Sequence, residues 1–147
     1  MLLGPSGSGK STLLNIIGGI DGADEGSITI DGEQQNMLSP VNSIKKGMVL
    51  ISEDRRGKAL VGNLSIKENV LLSCIDRYAK HGYLDEKKEK QDVSEKAEAL
   101  KIRMTGLDQR IIELSGGNQQ KAVFAKALMT NPKVFLCDEP TQAVDIM

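Results

Sequence analysis

Tryptophan is absent from this sequence, histidine occurs once, and cysteine, tyrosine and phenylalanine occur twice each in 147 residues. Two cysteines, Cys74 and Cys137, are too few for a disulfide scaffold and suit a reducing compartment. No excess of either charge exists: 19 Lys+Arg face 20 Asp+Glu, for a net charge of −1. A general binder of nucleic acid or anionic membranes needs clustered cations to release counterions, and that class is not expected. No apolar run approaches the roughly 18 residues of a membrane span, and the first residues show no basic segment leading to a cleavage site. A soluble, intracellular chain of about one domain is expected. Glycine, at 15 residues, is plentiful, and it is concentrated where the chemistry begins.

Met1 to Leu3 read as the end of a buried strand, Gly4 to Gly9 as a Gly/Ser/Pro loop, and Ser11 to Ile17 as a helix stopped by Gly18 and Gly19. Ile28 and Ile30 alternate with polar residues before Asp31-Gly32, the pattern of a half-buried strand entering a tight turn. Met48 to Ile51 and Val134 to Cys137 are short apolar runs expected as buried strands. Leu64 to Gly106 is expected to be helical. Val93, Ala97, Leu100 and Met104 share one face there, and Glu86–Lys90 and Asp92–Lys96 are placed to form i,i+4 ion pairs. A further helix carrying Val123, Phe124, Ala127 and Leu128 ends at Asn131-Pro132. Strand, helix, helical insert, helix and strand in that order predict an α/β fold with a mostly parallel sheet.

Gly4-Pro5-Ser6-Gly7-Ser8-Gly9-Lys10-Ser11, followed by Thr12, matches G-x-x-x-x-G-K-S/T. Glycines serve phosphate here because several backbone N–H groups must turn inward around one anion, and side chains would obstruct them. The following helix adds its N-terminal partial positive charge. Lys10 would reach the β- and γ-phosphates, and the Ser11 hydroxyl would ligate Mg²⁺. Asp138 and Glu139 follow the Val134–Cys137 run, at the strand end where open α/β sheets bind ligands. Asp138 would hold the Mg²⁺ shell, and Glu139 would act as general base on the attacking water. Leu114-Ser115-Gly116-Gly117-Asn118-Gln119-Gln120-Lys121 opens a helix, either as an ordinary N-cap by Ser115 or as an anion-binding helix start.

These three motifs, in this order, resemble those of the ATP-binding-cassette ATPases, whose fold is a P-loop NTPase sheet with an inserted helical subdomain. The resemblance covers essentially the whole chain. It implies one partial cassette domain over residues 1–147, truncated at both ends, with the helical subdomain at about 64–120. It also implies head-to-tail dimers in which Ser115, Gly116 and Gly117 contact the γ-phosphate of ATP bound to the other subunit's phosphate loop. Gly47 to Val70, LSGGNQQK and DEPTQAVDI look like the second nucleotide-binding half of bacterial ribose-, xylose- and galactose-type importers. In that subfamily ISEDR stands where other cassettes carry glutamine, which places Glu53 at Mg²⁺ or at the membrane subunit. The implied function is ATP hydrolysis, with Mg²⁺, energising monosaccharide import. The implied partners are a second nucleotide-binding domain, permease subunits and, indirectly, an extracytoplasmic sugar-binding protein. Nucleic acid is not expected, and the implied location is the cytoplasmic face of the membrane.

The chain also departs from the family. GPSGSGKSTLLNIIGGID is closer to lipoprotein- and macrolide-export cassettes, and the family's DEPTRGVD appears as DEPTQAVD, with Gln142 and Ala143 before Asp145. None of Tyr78, Tyr83, Phe124 and Phe135 occupies the place of the aromatic on which such enzymes stack adenine, and His81, read as a surface residue, does not occupy that of their catalytic histidine. Two alternatives stay open: a non-catalytic half paired with a competent one, and an export-type or soluble cassette without a transport role.

Overall fold

The computed structural model describes residues 7–35, 39–51, 59–80 and 82–138. The described residues divide into two units, one made of those up to 50 together with 132–138, the other of those from 51 to 131. Eleven named elements run along the described residues, helices α1 Lys10–Gly18, α2 Pro40–Lys45, α3 Ile66–Leu71, α4 Glu86–Ala99 and α5 Gly116–Leu128, and strands β1 Ile28–Ile30, β2 Glu33–Gln35, β3 Met48–Ile51, β4 Ala79–Lys80, β5 Tyr83–Leu84 and β6 Val134–Cys137. Among the described residues no helix is long and apolar enough to cross a membrane.

In the first unit β3 and β6 are neighbours, although most of the chain lies between them in sequence, and they form a two-stranded parallel sheet. The α/β class expected from the sequence is thus borne out. Gly47 makes the pairing possible, since its carbonyl accepts from the N–H groups of Lys133 (2.7 Å) and Val134 (3.0 Å). Its φ of +83° is left-handed, and a Cβ would come within 3.1 Å of Lys133. Both the backbone angle and the close approach require glycine there. Helix α1 packs on β6, and its Gly18 lies against Leu50 of β3. The helix stops at Gly19, whose N–H bonds back to Asn15 and Ile16 carbonyls from a left-handed conformation.

β1 pairs antiparallel with β2 through Asp31 and Gly32, both at positive φ, as a two-residue hairpin turn demands. Ile28 and Ile30 are half-buried and Thr29 is exposed, as the alternation predicts. β3 is largely buried, but β6 is only half-buried along its length, short of the buried strand expected from VFLC. β3 is its sole strand neighbour among the described residues, so little covers its flank.

In the second unit α3, α4 and α5 pack around Ile66, Val70, Leu71, Val93, Ala97 and Ala122, each at most 2% exposed. Burying each of the larger of these side chains contributes about 1.5–3 kcal/mol. Asn69, also buried, ties the preceding loop down: its Nδ2 donates to the carbonyls of Val61, Leu64 and Ser65, and its Oδ1 accepts from the Val61 N–H at 2.8 Å. Lys67 of α3 pairs with the buried Glu89 of α4 at 3.5 Å.

The stretch expected to be helical from Leu64 to Gly106 is broken in the structure. After α3 come one turn of 3₁₀ helix at Ile75–Arg77 and the β4–β5 hairpin, with Gly82 at φ +86°. Helix α4 then ends at Ala99, and Lys101 adopts a φ of +51°. Val93 and Ala97 are buried as their spacing predicts, while Met104 reaches the core from an irregular segment instead of a helix. The ion pairs Glu86–Lys90 and Asp92–Lys96 are not made. Asp92 instead accepts the Tyr78 hydroxyl at 2.9 Å, a buried partner that competes well against the half-buried Lys96 on the helix flank.

Helix α3 begins with a reciprocal capping box. Ser65 Oγ accepts the Glu68 N–H at 3.2 Å, while the Glu68 carboxylate accepts the Ser65 N–H and hydroxyl, both at 2.7 Å. These bonds hold the Glu68 carboxyl below its ordinary value. A depressed carboxyl pKa in the folded state adds stability above the unfolded pKa, and that stability is lost as pH falls through the folded one. Acid melts should therefore show the parent losing more stability than Glu68→Gln between neutral pH and the acid limb. Parallel acid limbs for the two proteins would contradict the capping role.

Candidate nucleotide-binding site

The described part of the phosphate loop starts at Gly7. Gly7 and Gly9 sit at φ +79° and +82°, and a Cβ on either would meet no protein atom within 4 Å. Packing does not require glycine at these positions; the left-handed backbone does. Gly9 is the N-cap of α1, no side chain caps that end, and no acidic residue lies in the first turn. Ser8, Ser11 and Thr12 at this helix start are exposed. Lys10 folds back so that its Nζ donates to Ser8 Oγ at 3.2 Å, which holds the cation over the loop. Backbone N–H groups at a helix start, three hydroxyls and one lysine cation thus lie together in sequence and structure, a chemistry that an oligophosphate matches. Gly4, Pro5 and Ser6 lie outside the described residues.

Asp138 follows β6 directly and is half-buried, on the strand against which α1 packs. Ser11 and Asp138 therefore belong to one unit, joined through the α1–β6 contact. Among the described residues no cluster of three or more His, Cys, Asp or Glu could cage a metal. One hydroxyl and one carboxylate beside a phosphate site suit Mg²⁺, which keeps several waters and leans on phosphate oxygens. Glu53 and Glu139 lie outside the described residues, as do Gln142, Ala143 and Asp145.

Ser115, Gly116 and Gly117 open α5 in the second unit. Ser115 occupies the N-cap position, but its side chain makes no cap bond. Its Oγ accepts from Asn118 Nδ2 at 3.0 Å, and Asn118 Oδ1 accepts from the Arg103 N–H at 2.9 Å. The ordinary serine cap is therefore not formed, and the N–H groups of the first turn are left without a side-chain acceptor. Asn118 was legible in the sequence only as part of LSGGNQQK. The signal of its role was an asparagine, instead of an acid, three residues after the serine.

Burial pushes both thiols up, Cys74 in the α3–α5 core and Cys137 in β6, so neither has the thiolate character of a nucleophile. An open cavity of about 1100 Å³ runs along α1 and the β1–β2 hairpin, lined by Leu13, Ile16, Ile17 and Ile28 among others. None of residues 7–12 lines it.

A glycine-formed phosphate loop opening a helix, on a sheet with an acid at its strand end, defines a nucleotide-binding α/β cassette. The sequence profile described as "ABC transporter" matches residues 1–142, and the chain belongs to that family. It is 38% identical over 143 residues to the ribose import ATP-binding protein RbsA of Halalkalibacterium halodurans, covering 97% of this chain and 29% of that protein. The ribose import ATP-binding protein RbsA of Chromobacterium violaceum is 39% identical over 145 residues, which cover 99% of this chain and 29% of the relative. Among solved structures, the dimeric bacterial ABC transporter cassette MJ0796 superposes with a TM-score of 0.78 at 33% identity, over 96% of this chain and 60% of that one. The post-hydrolysis state of MJ0796 bound to ADP and Pi gives a TM-score of 0.76, also at 33% identity, over 97% of this chain and 60% of that one. The chain thus spans under a third of the length of the import proteins it matches.

Proposed function

We propose that this cassette binds and hydrolyses ATP with Mg²⁺ and energises import of a monosaccharide through membrane permease subunits. The observation that carries the ATP half is the phosphate loop, with left-handed Gly7 and Gly9, Lys10 bonded to Ser8 Oγ, and a helix start that no side chain caps and no acid flanks. The sugar half rests on similarity to proteins named for ribose import. On this reading Gly4, Pro5, Ser6, Gly7, Ser8, Gly9, Lys10, Ser11 and Thr12 hold the phosphates. Ser11, Asp138 and Glu53 serve Mg²⁺, and Glu139 takes the proton of the attacking water. Ser115, Gly116 and Gly117 bind the γ-phosphate held by a second subunit, in a head-to-tail dimer on the cytoplasmic face of the membrane.

Mg²⁺, when bound, neutralises charge on the transferring phosphoryl group. The chain's own contribution is positional. Loop amides and Lys10 hold the phosphates by charge-assisted bonds without a basic protein surface, in keeping with the net charge of −1.

The test is reconstitution of the complete transporter in vesicles. ATP-dependent uptake of ribose or a related monosaccharide is expected, and it should be lost with Lys10→Ala. Each charge-assisted contact removed costs about 1.5–3 kcal/mol, so ATP affinity should fall roughly tenfold or more. Unchanged affinity in Lys10→Ala would refute the binding role. Hydrolysis coupled to outward movement of substrate would refute the import role alone.

A further inference from the structure

We infer that Asn118 is a positioning residue for the signature serine, one that orients the Ser115 hydroxyl as a donor toward an anion. The inference rests on the reading of Ser115 as a γ-phosphate ligand. The chain contains its own comparison. Ser65 and Glu68 of α3 have the same spacing as Ser115 and Asn118 of α5, and each serine is the N-cap of its helix. In α3 the serine hydroxyl donates to the Glu68 carboxylate and its oxygen caps the Glu68 N–H, so both capacities are consumed within the helix start. In α5 the arrangement is inverted.

The amide orientation of Asn118 follows from its other partner. The Arg103 backbone N–H can only donate, so the Asn118 atom 2.9 Å from it is the oxygen. The remaining end is NH₂, which must donate to Ser115 Oγ at 3.0 Å. Ser115 therefore acts as acceptor toward Asn118. Its hydroxyl hydrogen has no acceptor among the described residues, and the side chain is exposed. The serine oxygen is also drawn away from the helix N–H groups, which stay open to the same anion.

Arg103 is itself anchored. It follows Ile102, which is buried with its N–H bonded to Ala97 O at 2.9 Å, and Lys121 Nζ of α5 donates to Lys101 O at 2.9 Å. The segment after α4 thus presents a fixed N–H that sets the amide, and the amide sets the hydroxyl. A hydroxyl donor already aimed at the anion spares the reorientation that a freely turning one would need when nucleotide arrives.

Three single variants and one double variant of the intact ATPase, with its full chain and partner subunits, test this. Asn118→Asp still accepts the Arg103 N–H but offers Ser115 an acceptor, so the hydroxyl turns inward as at Ser65. Turnover should fall about tenfold or more, the loss expected for a charge-assisted hydrogen bond. The melting temperature should hold or rise, because an acid now stands in the first turn of α5. Asn118→Ala, which adds no charge, should also slow turnover, yet have no further effect in a Ser115→Ala background. Parental turnover in Asn118→Asp, or additive losses for Asn118→Ala and Ser115→Ala, would overturn the positioning role while leaving Ser115 in place. So would a loss matched by a fall in melting temperature. Parental turnover in Ser115→Ala would overturn the reading of Ser115 itself, and the positioning role with it.

Discussion

Glu139→Gln is expected to slow ATP hydrolysis about 10²–10⁴-fold while leaving ATP binding near the parental level. The amide has the shape of the carboxylate but cannot take a proton from water. On the proposed reading binding should survive because the phosphates would be held elsewhere, by the amides of the Gly7–Gly9 backbone, by the start of α1 and by Lys10, which bonds to Ser8 Oγ. Asp138, one residue earlier on the end of β6, remains available to the metal shell. Paired measurements of turnover and equilibrium nucleotide binding in the intact ATPase check the split. A parental rate would remove Glu139 as general base, and a joint loss of binding and turnover would make it a ligand of nucleotide or metal instead.

Asn69→Asp is expected to be the most damaging substitution to stability, at about 3–5 kcal/mol. Asn69 is 0% exposed, and its NH₂ is shared by the carbonyls of Val61, Leu64 and Ser65. A carboxylate there turns those contacts into repulsions between buried oxygens. Its protonated form could restore one donor at most, at the cost of a raised pKa. The native 2.8 Å bond from the Val61 N–H survives but cannot offset the loss of three bonds donated by the Asn69 NH₂. A domain stable by about 5–15 kcal/mol would give up a large share of its margin. Urea denaturation should show the midpoint falling at constant slope, and a change under about 1 kcal/mol would mean that the 61–65 loop contributes little to the fold.

Much of the candidate site was legible in the sequence because it is made of contiguous backbone. The Gly7–Gly9 conformations, the start of α1 at Lys10 and its stop at Gly19 follow from residue types that act locally. The β1–β2 hairpin was legible in part, since Asp31-Gly32 announces its turn. The helical reading of Leu64 to Gly106 held only in part. Helical spacing carried the expectation there, while Gly82 at positive φ belongs to the local β4–β5 hairpin and the Tyr78 hydroxyl bonds to Asp92, 14 residues on. The surface ion pairs of α4 failed, because exposed charges at i,i+4 gain only a few tenths of a kcal/mol and yield to any better contact.

The sequence by itself determined the chemistry this chain can offer: a phosphate loop, an acid pair after an apolar strand, and a serine-glycine helix start, in the order of its family. Tertiary structure alone decided how those groups are presented. Ser65 and Ser115 have the same local signature, a serine three residues ahead of a polar side chain, yet one closes its helix and the other leaves it open. The difference lies in the Arg103 N–H, which comes from a segment 15 residues from Asn118 and settles which end of an amide faces the serine. A hydrogen bond's direction depends on what its donor meets in space, and spacing along the chain does not encode it.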